Sequence, residues 1–142
     1  MRILPAVLMA ACVASCAVPS KDATPPEAPI TGAQRIVTLN GVLTEVVSSL
    51  GLEDRIVGTD VTSKYPEAVV SLPKLGHDKA IRAEGVLSLS PSIVMANVGQ
   101  LDPAVEGQLR QAGIRLMLFT PQNSIDGAKQ LIAQVADSVE RG

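Results

Sequence analysis

The sequence predicts an α/β fold: a single layered domain in which helices flank a mostly parallel sheet. Three observations predict it. From Arg35 onward, short runs of β-branched residues alternate with stretches whose apolar residues recur at helical spacing. Such alternation implies parallel pairing through right-handed crossovers, which place helices over both sheet faces. A chain of 142 residues with 46% hydrophobic content is also long and apolar enough for one ordinary domain with a real core.

Taken in order, Arg35 to Leu39 (RIVTL) reads as the first strand, and Val42, Leu43, Val46, Val47 and Leu50 form a helical stripe stopped by Gly51. Arg55 to Gly58 (RIVG) reads as the second strand, followed by a long loop and a short helix from about Ala83 to Leu89, ended by Pro91. Ile93 to Ala96 makes the third strand. Asp102 with Pro103 supplies the cap and first turn of a helix whose apolar face is Val105, Leu109 and Ala112, with Gly113 as its stop. Arg115 to Phe119 (RLMLF) is the fourth strand. The last helix, capped at Asn123 or Ser124, is expected to show Ile125, Ala128, Leu131, Ile132, Val135 and Val139 on one face.

In open sheets of this kind ligands bind beyond the carboxyl ends of the strands. Asn40, Asp60, Asn97 and Thr120 stand there, each polar after an apolar run, although such residues also serve as ordinary turn formers and caps. The long loop delivers the one histidine, His77, to the same edge, with Lys64, Lys74, Lys79 and Arg82 nearby in sequence. An imidazole beside cations suits an anionic ligand that carries a metal. A solvated loop is the plainer reading of each cation taken singly.

Ahead of the fold, Arg2 is a minimal basic region and Ile3 to Ala14 an apolar run too short to span a bilayer, which together read as an export signal over residues 1–15. Val13-Ala14-Ser15-Cys16 resembles a bacterial lipobox, so Cys16 is expected to be lipidated and to become the mature N-terminus. Cys12 would leave with the signal, and a lone Cys16 permits no intrachain disulfide. Residues 16–33, with Pro19, Pro25, Pro26 and Pro29, read as a Pro-rich tether, and the folded lobe as residues 34–142.

Composition argues against several functions. A net charge of -2 with only Tyr65 and Phe119 as aromatics offers neither the field nor the stacking platforms for nucleic acid. The chain carries no Gly-rich phosphate loop, dinucleotide fingerprint or Gly-x-Ser-x-Gly elbow, and one histidine leaves little for triad or metallohydrolase chemistry. Glu45, Glu67 and Glu84 are unpaired in sequence and read as solvated acids. No enzymatic activity and no catalytic cofactor are expected.

Several segments carry a family likeness: the opening RIVTLNGVLTEVV, the Thr-Ser-x-Tyr-Pro stretch at residues 62–66, Leu72-Pro73-x-x-Gly76, and the run AEGVLSL from Ala83. From Arg35 to its end the chain resembles the N-terminal lobe of periplasmic haem-binding proteins of ABC importers, within the wider class that binds ferric siderophores, cobalamin and haem. The resemblance implies an extracytoplasmic substrate-binding protein that captures haem as transported ligand and delivers it to an inner-membrane permease, lipid-anchored to the membrane.

Two departures matter. In the haem subgroup a tyrosine that ligates iron typically follows the loop glycine, whereas here Gly76 is followed by His77. Neutral imidazole is an established haem ligand, so the resemblance implies His77 as the axial ligand of the iron, with Tyr65 as the fallback. Lys74, Lys79 and Arg82 are then expected to steer or pair with the propionates, and Asn97 and Gln100 to rim the pocket. Glu84 matches the acidic position that docks into basic permease pockets in this class; first-turn stabilisation of a helix is its plainer role. The second departure is length, since family members have two lobes with the ligand between them and this chain ends at Gly142 after the first. The expectation is a fragment or a truncated paralogue, with haem bound more weakly by half a cleft. Cobalamin or a ferric siderophore is the alternative ligand, and a non-transporting truncated envelope lipoprotein the rival of a different class.

Overall fold

The computed structural model describes residues 34–140. The expected signal peptide, Cys16 and the tether lie outside the described residues. Four strands, β1 (Ile36–Thr38), β2 (Ile56–Thr59), β3 (Ile93–Asn97) and β4 (Arg115–Phe119), form one parallel sheet in the order β2-β1-β3-β4. Ile36 pairs with both Ile56 and Ile93, and Ile93 with Arg115. Four helices connect or follow the strands: α1 (Gly41–Ser49), α2 (Ala83–Ser88), α3 (Pro103–Gln111) and α4 (Ile125–Glu140).

Side-chain alternation along the strands builds a core on each face. Ile36, Ile93, Met95 and Phe119 join Leu43 and Val47 of α1 and Leu131, Val135 and Val139 of α4. Val37, Val94, Ala96 and Leu116 point the other way, onto Val86 of α2 and Leu109 of α3. The result is the predicted α/β class, with α1 packed beside α4 on one face and α2 beside α3 on the other. Strands buried on both sides read as continuous apolar runs, which is why IVT and IVMAN carry the pattern they do.

The helix ends follow local chemistry. Asn40 accepts from the Val42 amide at 2.9 Å, and Asp102 from the Ala104 amide at 2.9 Å with Pro103 opening the first turn. Ser124, the second of the two expected caps, accepts from the Gly127 amide at 3.0 Å. Gly51 and Gly113 end α1 and α3 at φ 76° and 77°, a conformation glycine adopts without strain.

Three expectations need correction. Arg55 belongs to a 3-10 turn, Glu53–Arg55, and the second strand runs one residue further, to Thr59. Ala112 is the exposed C-cap of α3, beyond its buried face. The buried stripe of α4 is also narrower than expected: Gly127, Leu131, Val135, Ser138 and Val139 are covered, while Ala128 is exposed, Ile125 is 79% exposed and Ile132 46%. Ile132 lies about 100° around the helix from Leu131, outside a stripe set by i, i+4 steps.

Candidate functional site

The carboxyl edge of the sheet is built first by hydroxyls. Asp60, 1% exposed, follows β2 and donates its amide to the Thr38 carbonyl at 3.1 Å. Its side chain gathers the next turn: one oxygen accepts from the Thr62 amide and hydroxyl at 3.1 and 2.5 Å, the other from the Ser63 amide and hydroxyl at 3.1 and 2.6 Å. From Ser63 a hydroxyl chain continues to Thr44 of α1 and Thr38 of β1, each step 2.7 Å. Thr38, Thr44, Asp60 and Ser63 are all buried, so the start of the long loop is bolted to two strands and a helix.

The far end of that loop is fastened as a partial strand. Residues 73–76 run along the outer edge of β2, with the Thr59 amide on the Pro73 carbonyl (3.0 Å), the Leu75 amide on Thr59 (2.9 Å) and the Val61 amide on Gly76 (3.1 Å). Gly76 at φ 99° and Asp78 at φ 45° bracket His77, whose own backbone is extended. The imidazole is carried past the end of β2, 57% exposed, with Nε2 3.1 Å from a carboxylate oxygen of Asp78. Tyr65, in the same loop and joined to Pro66 by a cis peptide bond, is 67% exposed.

Gln100 closes the middle of the edge. Buried at 8% exposure, it accepts from the Asn97 amide at 2.9 Å and donates to the Leu39 carbonyl, tying the end of β3 to that of β1. Asn97 is half-buried beside it.

The expected cations part company. The Lys74 ammonium, expected at a propionate, donates to Thr59 Oγ1 at 2.8 Å and to the Ser63 and Val69 carbonyls at 2.9 and 3.0 Å. Burial pushes its pKa below the ordinary 10.5, against a smaller upward pull from Asp60. Lys79 donates to the Leu101 carbonyl at 2.5 Å. Lys79, Arg82 and Glu84 line a single groove of ≈520 Å3 between the starts of α2 and α3, opposite Asp102 and Val105. Arg82 is the N-cap residue of α2 and makes no side-chain cap bond, and Glu84 lies exposed in the first turn. The structure thus brings Glu84 together with two residues expected in the haem pocket, in a groove whose lining does not include Tyr65 or His77.

Exposed apolar side chains also occur in the segments that leave this edge. Among the described residues the exposed large hydrophobics include Val42, Val61, Tyr65, Val98 and Ile125. Each follows the carboxyl end of a strand: Val42 after β1, Val61 and Tyr65 after β2, Val98 after β3 and Ile125 after β4. An apolar patch with a few placed polar groups is the usual make-up of a small-molecule site. Single valines after polar turn residues give no periodic signal, and the sheet order sets the segments that carry them at one edge.

The fold is a parallel α/β lobe whose carboxyl edge carries exposed apolar residues, an imidazole and anchored loops. The chain belongs to the periplasmic binding protein family, whose sequence profile matches residues 36–141. Among solved structures it is similar to the periplasmic heme-binding protein RhuT of Roseiflexus sp. RS-1, with 37% identity and a TM-score of 0.71 over 76% of this chain and 41% of that one. It is 31% identical over 110 residues to the vitamin B12-binding protein of Vibrio campbellii, covering 77% of this chain and 39% of that protein. It is 29% identical over 107 residues to an uncharacterized ABC transporter substrate-binding lipoprotein, YvrC of Bacillus subtilis, covering 74% and 34% respectively. The chain therefore spans well under half the length of the relatives it matches.

Proposed function

We propose that this chain is the N-terminal, ligand-capturing lobe of an extracytoplasmic binding protein that takes haem and hands it to an ABC permease. One observation carries the reading: a solvent-facing imidazole, His77, held past the end of β2 on a sheet edge that also presents Val42, Val61, Tyr65, Val98 and Ile125. Haem needs an apolar floor for the porphyrin, a donor atom for iron and cations for its carboxylates. The valines and Tyr65 supply the floor, His77 the donor with Tyr65 as the second candidate, and the exposed Lys64 and Arg82 the remaining charge. Lys79 joins Arg82 at the rim through its groove.

The heme-binding name of a solved relative supports this ligand, and the vitamin B12-binding name of a sequence relative supports cobalamin as a second reading. Glu84, exposed beside Arg82 at the start of α2, is the proposed contact with the permease. Cys16 is the proposed lipid anchor, in keeping with the lipoprotein name of YvrC. No helix among the described residues is long and apolar enough to cross a membrane.

Absorption spectroscopy of the purified chain titrated with haem and, separately, with cobalamin tests the ligand. The haem reading expects a saturable Soret shift and no retention of cobalamin. Cobalamin retention without a Soret shift would replace haem by the second reading, and neither signal would leave a lobe that binds neither.

A further inference from the structure

An ammonium group has three N–H donors and no acceptor. On Lys74 all three point at acceptors drawn from separate parts of the chain: the Thr59 hydroxyl at the end of β2, the Ser63 carbonyl at the start of the loop, and the Val69 carbonyl in the 3-10 turn Glu67–Val69. The backbone on either side of Lys74 grips the same strand, through the bonds of Pro73 and Leu75 to Thr59. Side chain and main chain therefore hold β2 from two directions. Tyr65 lies between Ser63 and Val69, and His77 follows Lys74 by three residues, so both candidate iron donors lie close along the chain to the bonds that Lys74 makes.

We propose that Lys74 is the positioning residue of the ligand edge, a tethered cation that sets the shape of the 60–76 loop and makes no contact with the ligand. In place of a bound cation, the chain uses its own ammonium to collect two carbonyls and a hydroxyl. Charge-assisted hydrogen bonds of this kind are stronger than neutral ones, and three on one atom add to the Asp60 network and the β2 pairing that also hold this loop. Lys64 and Lys74 are both exposed residues, and what sets Lys74 apart is that its ammonium is engaged by three acceptors.

The proposal rests on the haem reading for one arm of its test only. In the ligand-free 142-residue chain, Lys74→Met should speed hydrogen exchange at the Val61, Ser63 and Leu75 amides by about tenfold, the worth of one charge-assisted bond, and leave β3 and β4 amides unchanged. Thr59→Val, which removes one acceptor and keeps the fold of β2, should give a smaller rise at the same amides. In the second arm, Lys74→Met should weaken haem and haem dimethyl ester by the same factor and displace the Soret band in both. A loss confined to the free acid would make Lys74 a propionate partner and overturn the proposal. Unchanged exchange in both variants would overturn it as well. If the wild type binds no haem, the haem reading fails and the exchange arm alone decides the role of Lys74.

Discussion

Asp60 shows how much one side chain does at this edge. Buried at 1% exposure, it takes four hydrogen bonds from two residues, and through Ser63 it reaches Thr44 and Thr38. Removing such a hub leaves the buried Ser63 amide without its partner and breaks four bonds at once, which costs more than the mean of single bonds. Asp60→Ala is expected to destabilise the lobe by about 2–3 kcal/mol, the range of a lost hydrogen bond to a charged group, read as a lower urea midpoint at unchanged slope. A loss under about 0.5 kcal/mol, the scatter of neutral surface changes, would show that the network is not holding the loop. In the sequence Asp60 is visible only as a polar residue after a strand. Its partners lie up to 22 residues away, at Thr38, and no spacing rule connects them. His77 is the reverse case, since a lone imidazole after a loop glycine is conspicuous in the sequence itself.

At the scale of elements, four strands and four helices are legible because capping chemistry and apolar spacing agree at nearly every boundary. Asn40, Gly51, Asp102-Pro103, Gly113 and Ser124 all do in the structure what their residue types suggest. The face of α4 reads too broadly from sequence because Ile125 and Ile132 are apolar yet lie off the stripe defined by Leu131, Val135 and Val139. Leu131→Ala, in the core, is expected to cost about 2–4 kcal/mol, whereas Ile125→Ala at the helix start should stay within about 0.5 kcal/mol. Equal losses in thermal or urea unfolding would restore the broader face. The 60–76 loop is not legible beyond its length. Its order comes from Lys74, Asp60 and pairing along β2, all of which depend on tertiary placement.

For the whole molecule, the sheet order β2-β1-β3-β4 decides which loops meet. It puts β1 and β3 in the centre, where Gln100 joins their ends, and β2 at the border, where the loop bearing Tyr65 and His77 can overhang. The groove lined by Lys79, Arg82 and Glu84 lies between the starts of α2 and α3, and in the proposed reading its cations face the haem while Glu84 faces the permease. Glu84→Lys should accordingly leave ligand binding unchanged and impair transfer to the permease, because a basic pocket would then face a like charge. Transfer at the wild-type rate would remove Glu84 from the docking surface. Sequence alone places Lys74, Lys79, Arg82 and His77 together because they are neighbours along the chain; the fold gives Lys74 three acceptors of its own, sets Lys79 and Arg82 in a groove and leaves His77 at an exposed edge.

The haem reading depends above all on His77 as the iron donor, and an absorption titration with haem across wild type, His77→Ala and His77→Tyr decides that role. His77→Ala is expected to lose the native Soret position, while His77→Tyr binds again with a phenolate-type ferric spectrum. An unchanged spectrum in His77→Ala would contradict this assignment and transfer the role to Tyr65.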